Sequence, residues 1–558
     1  MGTHHKMLVY SDMSQCGPPE FFSEEPVSGK WQLVDYETAT GISGRMVYAE
    51  TAAGVPPLSL TLSARGKYKI YVGINYTPAG TSDYGATCAK LEDDLGYTHF
   101  TLETAGKAAV DYDTIKPIGV GTRIYSSIHE TLWRVCDIDN TRILIKPADV
   151  PYEGGLANIS YIKLEPVTKE EATIWDGLND STNTKSLHML WCTGQLTGHT
   201  MGTRFYHPDN LQMFRDDMQH LINNDIGTFV FEGVRGNLCC FKTETGDFDP
   251  DVKEWDEGWL DPLEEFSKLC RTYGMRIMVS MRFIGAGYPT NKAPVCKASF
   301  FYSNPQLAKR DQRGIRASNV SIAYPQVRAH WVAIAREALD RYGVDGIQLH
   351  LCRCDPFSLY EERSAADFKA KYGRDLVTVG FDDPDFAQHR ADYVTQLVRE
   401  MKAEVDRKEG RVLGITLHPI PSVDGSFDRI IRDCEPARWI REGLVDFLTP
   451  SYNVDPDLIR FWKSIADYDF KVVPDLMPRT QTASQYAGLA KRYYDAGADG
   501  VAFWDGERRY PRCSEWVAAC RLGHRDQLDY LEREGGDFFR RVPLTKLGGF
   551  GVECSFGV

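Results

Sequence analysis

Residues 344–351 read VDGIQLHL, and this stretch decides the fold class. Apolar side chains occupy every second position from Ile347 onward, whereas Gln348 and His350 occupy the alternate positions. Successive side chains of a β-strand point to opposite faces, so this strand has one apolar and one polar face. We predict a strand of a (β/α)8 barrel, with its apolar face toward helices and its carboxyl end at a functional site.

The same rhythm of short strand, loop and amphipathic helix repeats from residue 186 to residue 520. Eight such units are the size and count of a (β/α)8 barrel. The alternative is an open doubly wound sheet, which usually carries a glycine-rich nucleotide loop after its first strand, and no G-x-G-x-x-G spacing occurs here. The candidate strands are SLHMLWCT, IGTFVFEG, MRIMVSMRF, VDGIQLHL, RVLGITLH, LVDFLTPSY, FKVVPDL and DGVAFWDG.

The chain before the barrel has a β pattern. Its segment LSLTLSARGKYKIYVGINY alternates on both sides of ARGK, which is typical of a hairpin. We therefore predict an accessory β-sandwich of jelly-roll type in front of the barrel. The predicted domains are a sandwich at 1–165, a linker at 166–185, the barrel at 186–520, and a tail with a helix and a β hairpin at 521–558.

The composition excludes several classes of protein. The 558 residues carry a net charge of −14, whereas a nucleic-acid-binding protein needs a basic face. The sequence contains no run of about 18 apolar residues, so it does not predict a membrane span. Its first residues lack the apolar core of a signal peptide. We expect a cytoplasmic protein. A secreted or periplasmic protein whose signal peptide is absent from this sequence is the alternative, and homo-oligomerisation is possible.

Cysteine and histidine spacing does not predict a metal site. The 14 cysteines are scattered, and no paired C-x-x-C pattern or H-E-x-x-H motif occurs. No phosphate-binding loop is present either. We therefore predict neither a metal nor a cofactor.

Polar residues at the predicted strand ends form the candidate site, because a barrel carries its chemistry there. Carboxylates can divide the acid and nucleophile or base roles of glycoside cleavage, while aromatic faces and polar groups bind sugars. The acids also have structural interpretations, such as an ion pair between Glu232 and Arg282. The candidate catalytic residues are Glu232, Asp355, Glu361 and Asp475, and the candidate substrate-binding residues are Arg282, His350, Arg353, His418, Tyr452, Asn453, Trp504 and Asp505.

Residues 324–361, YPQVRAHWVAIAREALDRYGVDGIQLHLCRCDPFSLYE, resemble the glycosyl-hydrolase-like family ten and related family-ten-type barrel glycosidases of bacteria. Those proteins have a proline–x–valine–arginine helix that leads into a VDGI-x-L-D strand followed by an arginine. The matching positions here include Pro325, Val327, Arg328 and Arg353. The resemblance extends over about residues 186 to 520 and implies a barrel fold and glycoside hydrolase activity.

The chain departs from that family pattern at His350, where the pattern has an aspartate. An imidazole cannot replace a carboxylate nucleophile at an anomeric carbon, but it can bind a hydroxyl group or, when protonated, an anionic substituent. The acid role then falls to Asp355, Glu361 or an acid on another strand. The basic residues Arg282, His350, Arg353 and His418 together suggest an acidic sugar.

Three functions follow from these patterns. The leading hypothesis is hydrolysis of a glycosidic bond in an oligo- or polysaccharide by two carboxylates. The second is a catalytically inactive carbohydrate-binding barrel, because the strand-four aspartate is missing. The third is a polysaccharide lyase or epimerase that uses histidine and tyrosine as base and acid.

Overall fold

A computed structural model gives the structure of the chain, which is mixed α/β. It describes residues 6–50, 54–76, 89–93, 127–147, 156–177, 186–191, 226–236, 238–248, 260–282, 299–351, 356–418, 433–452, 454–476, 483–503, 521–534 and 539–551.

Eight parallel strands form a closed ring. Each strand pairs with the next from β1 to β7, and β8 pairs with β1. A bridge between Asp475, just after β7, and Ala502 of β8 closes the circle. This cyclic order is that of a (β/α)8 barrel. The strands are β1 (Ser186–Trp191), β2 (Ile226–Arg235), β3 (Arg276–Arg282), β4 (Gly346–His350), β5 (Val412–Leu417), β6 (Phe447–Pro450), β7 (Lys471–Val472) and β8 (Gly500–Phe503).

Helices follow the strands, and most of them begin with proline. Proline suits the first helical position because its fixed φ is helical and its missing N–H would be unpaired there. The caps Asp261, Asp383 and Asp455 precede three of these prolines and accept backbone N–H groups of the first turn. The labelled helices are α1 (Pro262–Thr272), α2 (Pro325–Arg341), α3 (Glu362–Tyr372), α4 (Pro384–Val405), α5 (Pro436–Arg441), α6 (Pro456–Ile465) and α7 (Ala483–Asp495). None of the helices within the described ranges has the length and apolar character needed to cross a membrane.

Alternation in the barrel strands separates two sets of buried side chains. Ile347 and Leu349 belong to the large apolar cluster that contains the inner faces of the helices. The inward positions form a much smaller apolar cluster of their own. A register shift between Glu232 and Val234 marks a bulge where β2 reverses its faces. The small inner cluster comprises Leu190, Val230, Met278, Phe447, Val473 and Ala502.

β-Strands make up the N-terminal part, as its sequence pattern predicts, and most of their pairings are antiparallel. One buried cluster contains Leu60 and Ile145 of a three-stranded sheet together with Ile70 and Val72 of a larger sheet. Two sheets that share a core are compatible with the predicted β-sandwich, and both the sandwich and its jelly-roll topology stay predictions. The smaller sheet has the order Leu58–Thr61, Arg142–Pro147, Ala89–Asp93. The main path of the larger sheet is Leu8–Tyr10, Tyr161–Pro166, Arg65–Tyr76, Ser127–Asp139, Phe539–Leu547, Trp31–Thr38, Ser43–Glu50, Leu156–Ile159.

The C-terminal strand Phe539–Leu547 lies in the middle of that larger sheet. Its first half, residues 539–543, pairs antiparallel with Ser127–Asp139, and its second half, residues 544–547, pairs antiparallel with Trp31–Thr38. It also forms a hairpin with Phe550–Gly551 and follows the helix Leu528–Glu534. Two parts of the chain that are far apart in sequence therefore share one sheet.

The predicted linker contains the helix Lys169–Gly177, which contacts the large N-terminal sheet and the predicted C-terminal tail. Its Lys69–Glu171 ion pair joins it to the large N-terminal sheet. The indole Nε1 of Trp175 donates to the Tyr530 hydroxyl at 3.2 Å, and the Arg521 guanidinium lies over the indole ring. The predicted domain boundaries stay predictions, and the helix Lys169–Gly177 connects the sheet to the tail through these contacts.

Candidate active site at the carboxyl end of the barrel

The ends of β2, β3 and β4 bring a carboxylate, a guanidinium and an imidazole together. Arg282 Nη1 lies 3.1 Å from Glu232 Oε1, and the Glu232 side chain is only 1% exposed. Arg282 and His350 are register partners on neighbouring strands, and His350 is fully buried. The ion pair between Glu232 and Arg282, which is the structural interpretation of Glu232, is therefore present. A buried pair of this kind orients both groups, and losing one partner leaves the other charge uncompensated.

The ends of β6 and β7 contribute a second buried carboxylate. Ser451 Oγ donates to Asp475 Oδ2 at 2.7 Å, and both residues are buried. This hydrogen bond fixes the orientation of the Asp475 carboxylate. Sequence reasoning missed Ser451, although it directly precedes the candidate Tyr452 at the end of a strand.

Tyr452 has an unusual backbone conformation. Its φ is +66°, in the left-handed region that bulky residues rarely adopt. Its ring meets the His418 ring edge-on, with 4.6 Å between the centroids, and His418 Nδ1 lies 3.4 Å from the Ser451 carbonyl oxygen. Backbone strain of this type costs about 1–3 kcal/mol and concentrates at functional sites. The strain therefore supports Tyr452 and His418 as members of the site.

Glu361 lies apart from these strand ends, in the loop after β4. Its buried carboxylate accepts hydrogen bonds from the Ser321 hydroxyl and from the Leu359 backbone N–H. Ser321 belongs to the loop after β3, so Glu361 connects two loops of the barrel mouth. The residue precedes α3 but makes no side-chain capping bond to it. Burial raises the pKa of Glu361 above its ordinary value of 4.5, against the opposing effect of these hydrogen bonds.

The raised pKa of Glu361 predicts a dependence of stability on pH. A carboxyl whose pKa is raised by folding binds more protons in the folded state, so the free energy of unfolding falls as pH rises from 4.5 through the folded pKa. The Glu361→Gln variant should lose this fall, and its stability relative to the parent should increase across that window. Urea unfolding at a series of pH values measures the difference. The exposed neighbour gives the control Glu362→Gln, and a pH-independent difference for Glu361→Gln would contradict the prediction.

Five sequence-predicted site residues lie outside the described ranges. The remaining seven are all described, and all but Glu361 lie at the carboxyl ends of β2 to β7 or directly after them. The residues outside the described ranges are Arg353, Asp355, Asn453, Trp504 and Asp505. Among the residues that the structure does place, no group of three histidine, cysteine or acidic side chains could hold a metal ion.

A cavity of about 890 Å³ opens at the opposite, amino-terminal end of the barrel. Arg276, Val412 and Phe447 are among its lining residues. Burial, and to a smaller degree the charge of Arg276, lowers the pKa of the lining residue His188 to about 3, so its imidazole is neutral. Barrel enzymes place their active sites at the other face. The cavity is therefore not the candidate site.

Comparison with known proteins supports the family resemblance in the central part of the chain. Residues 245–474 match the family described as Glycosyl hydrolase-like 10. No curated protein matches the chain.

Similarity to solved structures is slight. The chain is similar to the catalytic domain of a β-amylase from Paenibacillus polymyxa, with 10% identity, a TM-score of 0.43, and coverage of 61% of this chain and 99% of that one. α-L-Fucosidase isoenzyme 2 from Paenibacillus thiaminolyticus has 11% identity, a TM-score of 0.41, and coverage of 63% and 50%. The α-galactosidase from Lactobacillus brevis has 11% identity, a TM-score of 0.35, and coverage of 90% and 62%. At these TM-scores, no inference about the chain rests on the solved structures.

Proposed function

From the match of residues 245–474 to the Glycosyl hydrolase-like 10 family, which supports a carbohydrate-active enzyme, we propose that the protein hydrolyses a glycosidic bond in an oligo- or polysaccharide. The observation that carries the proposal is the presence of two buried, oriented carboxylates at strand ends, Glu232 in β2 and Asp475 after β7, either of which could supply one of the two catalytic carboxyl groups. Glycoside hydrolysis needs two carboxyl groups on opposite sides of the scissile bond. Counted around the ring, β2 and β7 are three strands apart by way of β8 and β1.

We assign one catalytic role to the loop after β4, through Asp355 or Glu361, and the other to Glu232 or Asp475. One of the pair must stay protonated near neutral pH, and burial is the ordinary means of achieving this. Burial raises the pKa of Glu361, which is a shift in the direction that this role needs. The proposed sugar-binding residues are Arg282, His350, Arg353, His418, Tyr452, Asn453, Trp504 and Asp505.

The basic members of that set favour an acidic sugar as the substrate. Arg282 is fixed by Glu232, and His350 stands beside it where the family pattern has an aspartate. A guanidinium binds a carboxylate or sulfate in a fixed geometry. A uronic acid or a sulfated sugar is therefore the proposed substrate class.

A second function is favoured by the contact between His418 and Tyr452. In a lyase reaction on a uronic acid, one of the two side chains removes the proton at C5. The C4–O bond then breaks, a C4=C5 double bond forms, and the other side chain gives its proton to the leaving oxygen. No carboxylate nucleophile is needed, which agrees with a histidine at position 350.

Incubation with neutral and acidic oligosaccharides, followed by mass spectrometry and ultraviolet absorbance of the products, separates these functions. Hydrolysis should give products whose summed mass exceeds that of the substrate by one water, and we expect this result with an acidic oligosaccharide. An unsaturated product would establish the lyase instead, and binding without any product would establish a carbohydrate-binding barrel. The matched control is the double variant Glu232→Gln/Asp475→Asn.

A further inference from the structure

A polar row crosses the inside of the barrel just below the mouth. Glu232, Ser280 and Gln348 are successive register partners on β2, β3 and β4. All three are at least nine-tenths buried. They lie one inward step before Arg282 and His350, the next inward residues on β3 and β4. Barrel interiors are usually filled by branched apolar residues, so this row is unusual.

The Gln348 amide has a fixed orientation. Its Nε2 donates to Thr416 Oγ1 at 2.6 Å and lies 3.5 Å from Thr449 Oγ1. The amide nitrogen therefore points toward the threonine hydroxyls of β5 and β6. The carbonyl oxygen Oε1 is left without a hydrogen-bond partner within the described part of the chain.

Ser280 Oγ, on the neighbouring strand at the same level, also has no hydrogen-bond partner among the residues that the structure places. Two buried polar atoms without partners are costly, and native proteins usually satisfy such groups with an ordered water molecule. A water needs two to four polar partners. The serine hydroxyl, the Gln348 carbonyl oxygen and the Glu232 carboxylate supply three groups in one row.

We propose that Ser280 and Gln348 hold a buried water molecule beneath the Arg282–His350 pair, with the Glu232 carboxylate as its third partner. The occupant is a water rather than a hydroxyl group of a sugar, because the three side chains of the row are at least nine-tenths buried and lie one inward step below His350 on the strands. A further consequence rests on the proposed function: the water orients Glu232, so Ser280 and Gln348 are positioning residues for that carboxylate.

A double-mutant cycle with Ser280→Ala and Gln348→Met tests the water site without any substrate. Either substitution alone should release the water, so each single variant should lower the melting temperature. The same water cannot be lost a second time in the double variant. Adding Ser280→Ala to Gln348→Met should then cause little further loss. Additive losses, or a higher melting temperature for Ser280→Ala, would overturn the proposal, because removing an unpartnered hydroxyl stabilises a protein. The matched control is Ser267→Ala, a buried hydroxyl of α1 that also lacks a partner in the described ranges and should be additive with Gln348→Met.

A high-resolution crystal structure of the parent protein gives a second measurement that does not depend on the variants folding. We expect density for one water between Ser280 Oγ and Gln348 Oε1. Contact between the two side chains without intervening density, or density for a sugar hydroxyl in crystals soaked with an oligosaccharide, would overturn the proposal. In kinetic assays, Ser280→Ala should lower kcat with little change in KM. If the melting temperatures of the double-mutant cycle are non-additive but kcat of Ser280→Ala is unchanged, the water site stands and only the positioning role is refuted.

Discussion

The Asp475→Asn variant is expected to lose about 10²–10⁴-fold in turnover if Asp475, rather than Glu232, is the strand-end acid of the catalytic pair, which is the usual effect of removing a carboxyl that transfers protons. Its stability should change little, because the asparagine Oδ1 can still accept the hydrogen bond from Ser451 Oγ. Steady-state kinetics on the oligosaccharide identified by the product assay, together with thermal unfolding, measure both effects.

The other three acids complete the comparison. Asp355→Asn or Glu361→Gln should show a loss of the same size, because the loop after β4 supplies one of the proposed roles. Glu232→Gln should lower stability as well, since the largely buried Arg282 guanidinium then loses the neutralising charge of Glu232. Ser451→Ala, which removes the contact but not the carboxyl, is the control. If both variants of the β4 loop kept near-full turnover, the catalytic pair would be Glu232 and Asp475.

The Glu130→Ala variant is expected to lower the free energy of unfolding by about 3–5 kcal/mol, the usual effect of leaving a buried charge unpaired. The Glu130 carboxylate is buried and accepts hydrogen bonds from Tyr161 Oη at 2.7 Å and Lys163 Nζ at 2.6 Å. Arg540 of the C-terminal strand lies 3.4 Å from the same carboxylate. Lys163 also pairs with the less buried Glu165, which favours the lower end of the range. Urea unfolding followed by circular dichroism measures the loss.

An exposed pair on the same C-terminal strand provides the control for Glu130. Lys546 and Glu37 form an ion pair at 2.8 Å, and both side chains are about half exposed. Lys546→Ala should therefore cost less than about 1 kcal/mol. Equal effects of Glu130→Ala and Lys546→Ala would show that the buried network contributes no more than a surface pair.

The barrel could be predicted from the sequence because several of its strands, β4 and β5 among them, alternate between apolar and polar positions, and alternation is a local signal. The segment 344–351 determines which side chains of β4 face the helices, and the structure agrees. The strand lengths could not be predicted, since they depend on pairing with neighbours. The apolar run FKVVPDL, for example, contributes only Lys471–Val472 as a regular strand.

The candidate site was predictable only in part, for a similar reason. The Glu232–Arg282 pair joins adjacent strands of a predicted barrel, so the strand order suggested it. The contact between Ser321 and Glu361 depends on how two loops fold over the barrel mouth, and no periodic pattern marks it. The position of Phe539–Leu547 inside the N-terminal sheet is equally non-local, because a strand sequence does not specify a partner hundreds of residues away.

The position of that strand sets an order of events during synthesis. Ser127–Asp139 and Trp31–Thr38 leave the ribosome early, yet their shared partner Phe539–Leu547 is translated only after the whole barrel. At roughly 5–20 residues per second, the intervening stretch of about 400 residues takes on the order of 20–80 s to translate. Two strand edges of the nascent chain stay open for that time, and open edges promote association with other chains. The N-terminal module should therefore need a chaperone until translation of the C-terminal strand completes its sheet.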